Sequence, residues 1–485
     1  PFSHDEHMYL SAARLLEQSS LYADFAYLQA PYMPYVYHWP LELTNSGHIL
    51  LVARLLKVII VIALVLTVYR LSAKLSGDRW FAIACTLLLV YNGVFRHSIP
   101  FATNLDMATL LTLLAFWAYL SLKLRESPRL ALAFAGLFVG LAIGTKLTYA
   151  LVPLCFLPPI AFEHGLSRRS GHLAGSFLGG LTIGLLPAMI LSLSSGIDVA
   201  YFNNVGYHQL NALWRQETGF EHAMSFREKL NFARFEMLKV PGALLMLTAV
   251  FVVISQYRDR HEFSFQRGML VLIFVVFTVV AIAMFMIPTP IWRSYLSPFV
   301  ISIVLLIGVL YRHLAPSAKR AARTVVWSSM ILLLALNGFR DIRLTSACFK
   351  PDRWTGTKIH NNALALRSII PEDQRAQPVA TLSPLFALEA GLPIYKELAS
   401  GPFAYRIGGL LSSDDLGRYQ TTSAQDLEVL LNESPPSAIL VGFGAELDSS
   451  LITYAEERGF RRHDNVFERA VVYVRQDGAT DSEGR

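Results

Sequence analysis

From position 49 to 339 the chain is a series of apolar runs divided by short polar breaks, with little charge inside the runs. The runs fall at about 49–69, 80–95, 106–122, 130–145, 147–163, 172–193, 240–257, 268–287, 295–311 and 324–339. About 20 apolar residues in a helix cross the hydrocarbon core of a bilayer, so the pattern predicts ten transmembrane helices. Lys146 alone separates the two in the 130–163 region. Residues 1–48 instead mix polar and aromatic positions. Ser3 stands three residues before Glu6, a capping-box spacing, and Tyr9, Ala12, Ala13 and Leu16 recur at helical intervals. This predicts a short helix from about Asp5 to Glu17, lying along the membrane surface. Pro31, Pro34 and Pro40 among Tyr32, Tyr35, Tyr37 and Trp39 predict an irregular stretch at interface depth. The pattern changes again at about 345. Strand-like runs at 378–382, 437–443 and 470–475 alternate with helical ones at 361–369, 424–432 and 446–458, giving a small α/β domain over 345–485 with a disordered tail from about Asp477.

Composition agrees with the pattern. Hydrophobic residues are 53% of 485, charged residues 16%, and mean hydropathy is +0.42, which excludes a soluble globular protein. The formal charge of +6 could suggest nucleic acid, but its distribution does not. Lys and Arg cluster in alternate loops: Arg70, Lys74 and Arg79; Lys123, Arg125 and Arg129; Arg168 and Arg169; Arg258, Arg260 and Arg267; Arg312, Lys319, Arg320 and Arg323. By the positive-inside rule those loops are cytoplasmic. Residues 1–48 and everything after 340 then fall outside, and nucleic acid is not a partner. An even number of spans with both ends outside also predicts a transmembrane helix preceding Pro1. Cys85, Cys155 and Cys348 imply no disulfide framework.

The chemistry-bearing residues gather on the outer side. Asp5 and Glu6 stand in the first turn of the N-terminal helix, where carboxylates complement the helix dipole. They are equally placed for acid/base work beside a low-dielectric interior. Adjacent helical residues point about 100° apart, so one can face a substrate while the other serves the structure. Asn104 and Asp106 lie where an outer loop enters a membrane helix, a position that also suits a cap. Lys146, Arg293 and Arg96 beside His97 are outer-edge cations. Each alone reads as an interfacial anchor; together with the acids they suggest a pocket for a phosphate carried on a lipid. One long outer loop, about 194–239, holds Tyr201, Asn203, Asn204, Tyr207, His208, Trp214, Arg215, Glu217 and Glu221. Gly136, Gly140 and Gly144, like Gly175, Gly179, Gly180 and Gly184, read as close helix contacts. Residues 140–146 lack the Gly-Lys-Ser/Thr of a phosphate-binding loop, and no Cys/His set has zinc spacing.

Three stretches carry a family resemblance: Asp5-Glu6-His7-Met8-Tyr9, then Leu21-Tyr22-Ala23-Asp24, and Gln29-Ala30-Pro31-Tyr32-Met33-Pro34-Tyr35. Together they resemble the first outer loop of the GT-C glycosyltransferases. The nearest resemblance is to protein O-mannosyltransferases and the aminoarabinose and galacturonic acid transferases of lipopolysaccharide (families 39 and 83). It continues through Asn104-Leu105-Asp106, the segment 140–146 and Arg293-Ser294-Tyr295, covering about 1–310. Many relatives have Arg where this chain has Asn104, and Arg96 is the candidate replacement.

The resemblance implies an all-α polytopic membrane bundle of the GT-C type with a small extracytoplasmic α/β domain at the C-terminus. Residues 1–48 form its first outer loop, 49–344 the bundle, and 345–485 the outer domain. The implied reaction moves a sugar from a polyprenyl-phosphate donor, with inversion, to a hydroxyl of a lipid, glycan or protein acceptor. Transfer takes place on the outer face of a bacterial inner membrane. Asp5 is the expected base, with Glu6 supporting it. Lys146, Arg293 and Arg96 would hold the donor phosphate, and Asp106, Asn104, Tyr9, His208 and Tyr295 the substrates. A divalent cation on Asp5 or Asp106 is left open, with no other cofactor implied. Two other readings are a flippase for a lipid-linked glycan and a catalytically silent envelope scaffold. A transporter calls for internal repeats and broken helices meeting at mid-membrane, and here the charges gather at one edge instead.

Overall fold

In the computed structural model, which describes residues 3–123, 127–161, 168–220, 224–258 and 265–476, eight helices are long and apolar enough to cross a membrane. They are Ile49–Ser76, Leu105–Leu122, Pro128–Thr145, Arg168–Ser194, Val240–Arg258, Gly268–Met286, Arg293–Tyr311 and Pro316–Gly338. The other two expected spans are shorter apolar segments, Arg79–Tyr91 and Leu147–Ala161. The first stops at Asn92, whose side chain accepts the Val94 N–H at 2.9 Å and starts a new helix, Gly93–Ser98, at an angle. The second opens as a 3₁₀ helix over Leu147–Phe156 with Pro153 inside, and turns α-helical at Leu157–Ala161. A 3₁₀ helix rises more per residue than an α-helix, so this segment extends about 27 Å.

Glycine contacts give the direction of the neighbouring helices. Gly136 abuts Phe177 and Leu181, and Gly140 abuts Leu181 and Gly184, so Pro128–Thr145 and Arg168–Ser194 run parallel and the segment between them runs back. A Cβ on Gly180 would lie 1.9 Å from the Ala133 carbonyl oxygen, whereas one on Gly175 or Gly179 would meet nothing within 4 Å. Only part of each glycine series therefore serves the close approach. Gly180→Ala is expected to force the two backbones apart at a cost of about 1–3 kcal/mol or more. In thermal unfolding of the solubilised protein, Gly175→Ala should leave the midpoint in place; an equal loss in both variants would sink the packing argument.

The first 48 residues are more ordered than their sequence suggests. The helix His4–Leu15 carries the expected capping box, with Ser3 Oγ accepting from the backbone and the Glu6 carboxylate accepting the Ser3 N–H at 3.1 Å. It does not lie on an open membrane surface. Glu6 to Ala13 are all buried, against the helix Tyr32–Thr44 and against Pro384–Glu389 of the C-terminal domain. The Pro/Tyr stretch is that second helix rather than irregular chain. Pro31 caps it and Pro34 falls in its first turn, where a missing N–H breaks no helical bond. Tyr32 reaches across to Arg168–Ser194. Its hydroxyl donates to the Gly184 carbonyl at 2.7 Å and accepts the Ala188 N–H at 3.2 Å, next to Pro187. Gly144 leaves room for the ring, since a Cβ there would sit 2.1 Å from it.

The segment expected as a long outer loop is helical as well, over Ile197–Tyr201, Tyr207–Thr218 and Phe226–Leu238, with a π-turn at Phe202–Gly206. Glu221 in it and the expected tail from Asp477 lie outside the described residues. The C-terminal domain holds a four-stranded sheet of β1 (Val379–Thr381), β2 (Ala438–Val441), β3 (Arg461–His463) and β4 (Val471–Val474), in the order β1-β2-β4-β3. β1 and β2 are parallel, and the other pairs are antiparallel. The edge strand β3 is Arg-Arg-His and mostly exposed, so it has no apolar alternation to announce it. The domain rests on the start of Ile49–Ser76. There the buried Glu389 carboxylate accepts the Leu50 N–H at 2.7 Å and bonds His360 Nδ1 at 3.1 Å.

Candidate active site

Each return of the chain to one end of the bundle contributes to a single polar cavity of about 510 Å³. The N-terminal helix supplies Asp5 and Tyr9, the second turn His97 and Asn104, and the third Lys146. The segment after Arg168–Ser194 supplies Arg215, and the start of Arg293–Tyr311 supplies Ser294 and Tyr295, with Trp292 just before it. The C-terminal domain closes it with Phe403, Arg406, Phe443 and Gly444. Beside this lies an apolar groove of about 700 Å³ between Tyr32–Thr44 and the membrane helices, lined by Tyr35, Trp39, Leu111, Leu141, Ile190 and neighbours. The two meet at Thr145-Lys146: Thr145 lines the groove, Lys146 the cavity, and Asn104 Nδ2 donates to the Thr145 carbonyl at 3.2 Å.

Asp5 and Glu6 are divided as the helical angle requires. Among the described residues nothing donates a hydrogen bond to the Asp5 carboxylate, and no ion pair within 4 Å engages it; it faces the cavity. Enclosure holds its carboxyl above the usual carboxylate range, and Lys146 and His4 offset part of that rise. Glu6 is fully buried and turned away. Its oxygens take Arg54 Nε at 3.0 Å and Nη2 at 2.8 Å, the Ala102 N–H at 2.9 Å and the Ser3 N–H. A carboxylate with its acceptor sites so occupied is a brace between the N-terminal helix, the first membrane helix and the second outer turn. Glu6 therefore does not face the cavity with Asp5; it ties the turn that carries Asp5 to its neighbours.

Four further expectations change. Asp106 does not face the cavity. It is buried in the bundle, 2.5 Å from Lys57 Nζ, with Ser98 Oγ donating to it at 3.1 Å. An ion buried among membrane helices needs such a partner, and Lys57 sits inside an apolar run where its sequence position gives no hint of Asp106. Arg293 pairs with the buried Glu236 at 2.9 Å and does not line the cavity, and its neighbours Trp292, Ser294 and Tyr295 line the wall instead. Arg96 lies over the Tyr91 ring at 5.8 Å, away from the cavity wall, so it does not stand in for the arginine that Asn104 replaces. Of the three expected phosphate-binding cations, Lys146 is the one on the wall, 4.8 Å from the Tyr295 ring. Tyr9, Asn104 and Tyr295 line the cavity; His208 is exposed beside Tyr207 and does not.

Arg215 and Arg406 are the wall residues whose role the sequence does not disclose. Arg406 follows the left-handed Gly401 on the short helix Pro402–Ile407. Phe443 is held over the cavity because the Asp448 carboxylate accepts the Gly442 and Gly444 N–H groups at 2.8 and 2.9 Å. Of the two carboxylates considered for a divalent cation, Asp5 faces the cavity and Asp106 does not. Asp106 is committed to Lys57, and no group of three or more His, Cys, Asp or Glu capable of holding a metal occurs among the described residues.

A family model described as glycosyltransferase family 87 matches residues 34–282, from the Tyr32–Thr44 helix to Gly268–Met286. No curated protein sequence matches the chain. Among solved structures, ArnT from Cupriavidus metallidurans bound to undecaprenyl phosphate aligns with a TM-score of 0.62 at 14% identity, over 98% of this chain and 94% of that one. The oligosaccharyltransferase of Archaeoglobus fulgidus aligns with a TM-score of 0.48 at 11% identity, over 98% of this chain and 71% of that one. At such identity the likeness to ArnT is one of fold, and the fold is GT-C.

Proposed function

Because the chain belongs to glycosyltransferase family 87 and is a multi-pass membrane glycosyltransferase of the GT-C type, we propose that it takes its sugar from a polyprenyl-phosphate donor. The acceptor is a hydroxyl-bearing lipid, glycan or protein, and transfer takes place on the extracytoplasmic face of the membrane. One observation carries the reading: an unengaged carboxylate and a lysine face each other across a cavity that opens beside an apolar groove. The groove suits the isoprenoid chain, and ArnT, of the same fold, binds undecaprenyl phosphate. The groove delivers its occupant's head to Thr145-Lys146, where the ammonium meets the phosphate.

In the proposed step the acceptor oxygen attacks the anomeric carbon from the side opposite the phosphate. The bond from that carbon to the phosphate oxygen breaks, the electron pair leaves with the polyprenyl phosphate, and the acceptor proton passes to Asp5. The configuration inverts. Charge grows on the departing phosphate, so a fixed cation there favours the transition state over the ground state. Tyr295, against the Lys146 ammonium, holds that side chain in place.

The test is transfer from a synthetic undecaprenyl-phosphate sugar in nanodiscs, with release of undecaprenyl phosphate as the readout. Lys146→Ala is expected to lower kcat/KM for the donor by about ten- to a hundredfold, the scale of a lost charge-assisted contact to phosphate. Unchanged donor dependence would return Lys146 to the role of membrane anchor. Family membership and a cavity confined to one end of the bundle support an enzyme over a flippase or a silent scaffold.

A further inference from the structure

We propose that the cavity holds a second anion subsite, separate from the donor phosphate at Lys146 and built by the C-terminal domain around Arg406. The inference rests on the reading of Lys146 given above and extends it to the chemistry of the substrates. Among the described residues three cations line the cavity, Lys146, Arg215 and Arg406, with one carboxylate, Asp5. Lys146 and Asp5 offset one another, which leaves the Arg406 guanidinium without a carboxylate opposite it among the described residues.

Arg406 is the informative one. None of the ion pairs among the described residues includes it. Its Nη2 donates to the neutral Tyr207 hydroxyl at 2.9 Å, and its buried Nε has no hydrogen-bond partner among the described residues. The Trp214 and Phe403 rings lie 5.3 and 5.1 Å from the guanidinium carbon and fix its plane. A guanidinium oriented by aromatic faces and one phenol, with a donor edge unspent, is set for planar, two-point contact with a phosphate or carboxylate. If Arg406 served only to tie the C-terminal domain to the segment after Arg168–Ser194, stacking and the Tyr207 bond would suffice. It would then not need to line the cavity that Asp5 and Lys146 share. Its charge is felt at Asp5, His4 and His208 as well as at Tyr207, so an anion bound there lies within reach of the reacting centre.

The anionic group has two sources, a second phosphate on the donor's carrier or an acid group on the acceptor, and the experiment separates them. Binding of undecaprenyl phosphate and undecaprenyl pyrophosphate is measured on wild type, Arg406→Gln and Lys146→Ala in nanodiscs. Inorganic phosphate is then titrated onto protein saturated with undecaprenyl phosphate, with thermal stabilisation as the readout against sodium chloride of equal ionic strength. With a separate subsite, Lys146→Ala weakens undecaprenyl phosphate about tenfold or more and Arg406→Gln changes it by less than about twofold. If the second anion is the donor's, the pyrophosphate carrier binds wild type about tenfold tighter than the monophosphate, and Arg406→Gln removes the difference. If it is the acceptor's, the two carriers bind alike. Inorganic phosphate then stabilises the saturated wild type, and Arg406→Gln raises the half-maximal concentration about tenfold.

Equal weakening of undecaprenyl phosphate by both substitutions, or no gain from pyrophosphate together with no phosphate effect beyond the chloride control, overturns the proposal. Should undecaprenyl phosphate fail to bind wild type, the donor reading falls; the phosphate titration without carrier then decides on Arg406. Arg406→Lys keeps the charge and loses the fork. It should retain part of the phosphate effect at unchanged melting temperature, which covers the case in which the glutamine variant does not fold.

Discussion

Asp5→Asn is expected to lower sugar transfer by about a hundredfold or more, the scale of a lost general base, with the protein still folded and still binding donor. The substitution is close to isosteric, and the Asp5 carboxylate has no hydrogen bond within the described residues to lose. Its structural cost is limited to a weaker match to the helix dipole, on the order of 0.3–1 kcal/mol. The pH profile provides an independent check. The base works when deprotonated, and enclosure raises its pKa. Activity should therefore be present at higher pH and be lost as pH falls through a midpoint above the usual carboxylate range. Single-turnover transfer measured across pH on wild type should show that acid limb, and the residual rate of the asparagine variant should not. Full activity in Asp5→Asn, or an acid limb at the ordinary carboxylate position, would rule Asp5 out as the base.

Asp106→Ala should act on stability. It leaves the Lys57 ammonium, 1% exposed between membrane helices, without its counter-ion. Breaking a buried pair from one side costs about 3–5 kcal/mol. The expected result is a large drop in melting temperature and in the yield of solubilised protein. Lys57→Met combined with Asp106→Leu should recover most of it, because the two desolvation costs vanish together. Thermal unfolding of the single and double variants in the same nanodiscs measures this. An Asp106→Ala protein of normal stability that binds neither substrate would return Asp106 to the cavity and refute the structural assignment.

These two carboxylates show where a sequence is informative. Asp5 stands in the first turn of a capped helix, and its cap, Ser3 with Glu6, is local and readable. That Glu6 is then consumed by Arg54 and the Ala102 N–H is not readable, because both partners are brought to it by packing. Asp106 looks from its position like a cap or a ligand. Only the register of its helix against Ile49–Ser76 places it on Lys57. Arg293 and Arg96 fail as phosphate ligands for a related reason. Being at the correct edge of the membrane fixes depth, whereas helix rotation and loop path decide which way a long side chain turns.

The sequence by itself determined the membrane class, the apolar segments, three strands of the C-terminal domain and the glycine face of Pro128–Thr145. All follow from periodicity, hydropathy and local capping, which act over a few residues. The tertiary structure alone decided that two of ten segments are short and broken, that the proline-rich stretch is a helix, and that the edge strand Arg461–His463 exists. It also decided that Asp5 faces Lys146 across a cavity roofed by Arg406. Those outcomes depend on contacts between residues far apart in the chain, whose energies no local pattern records.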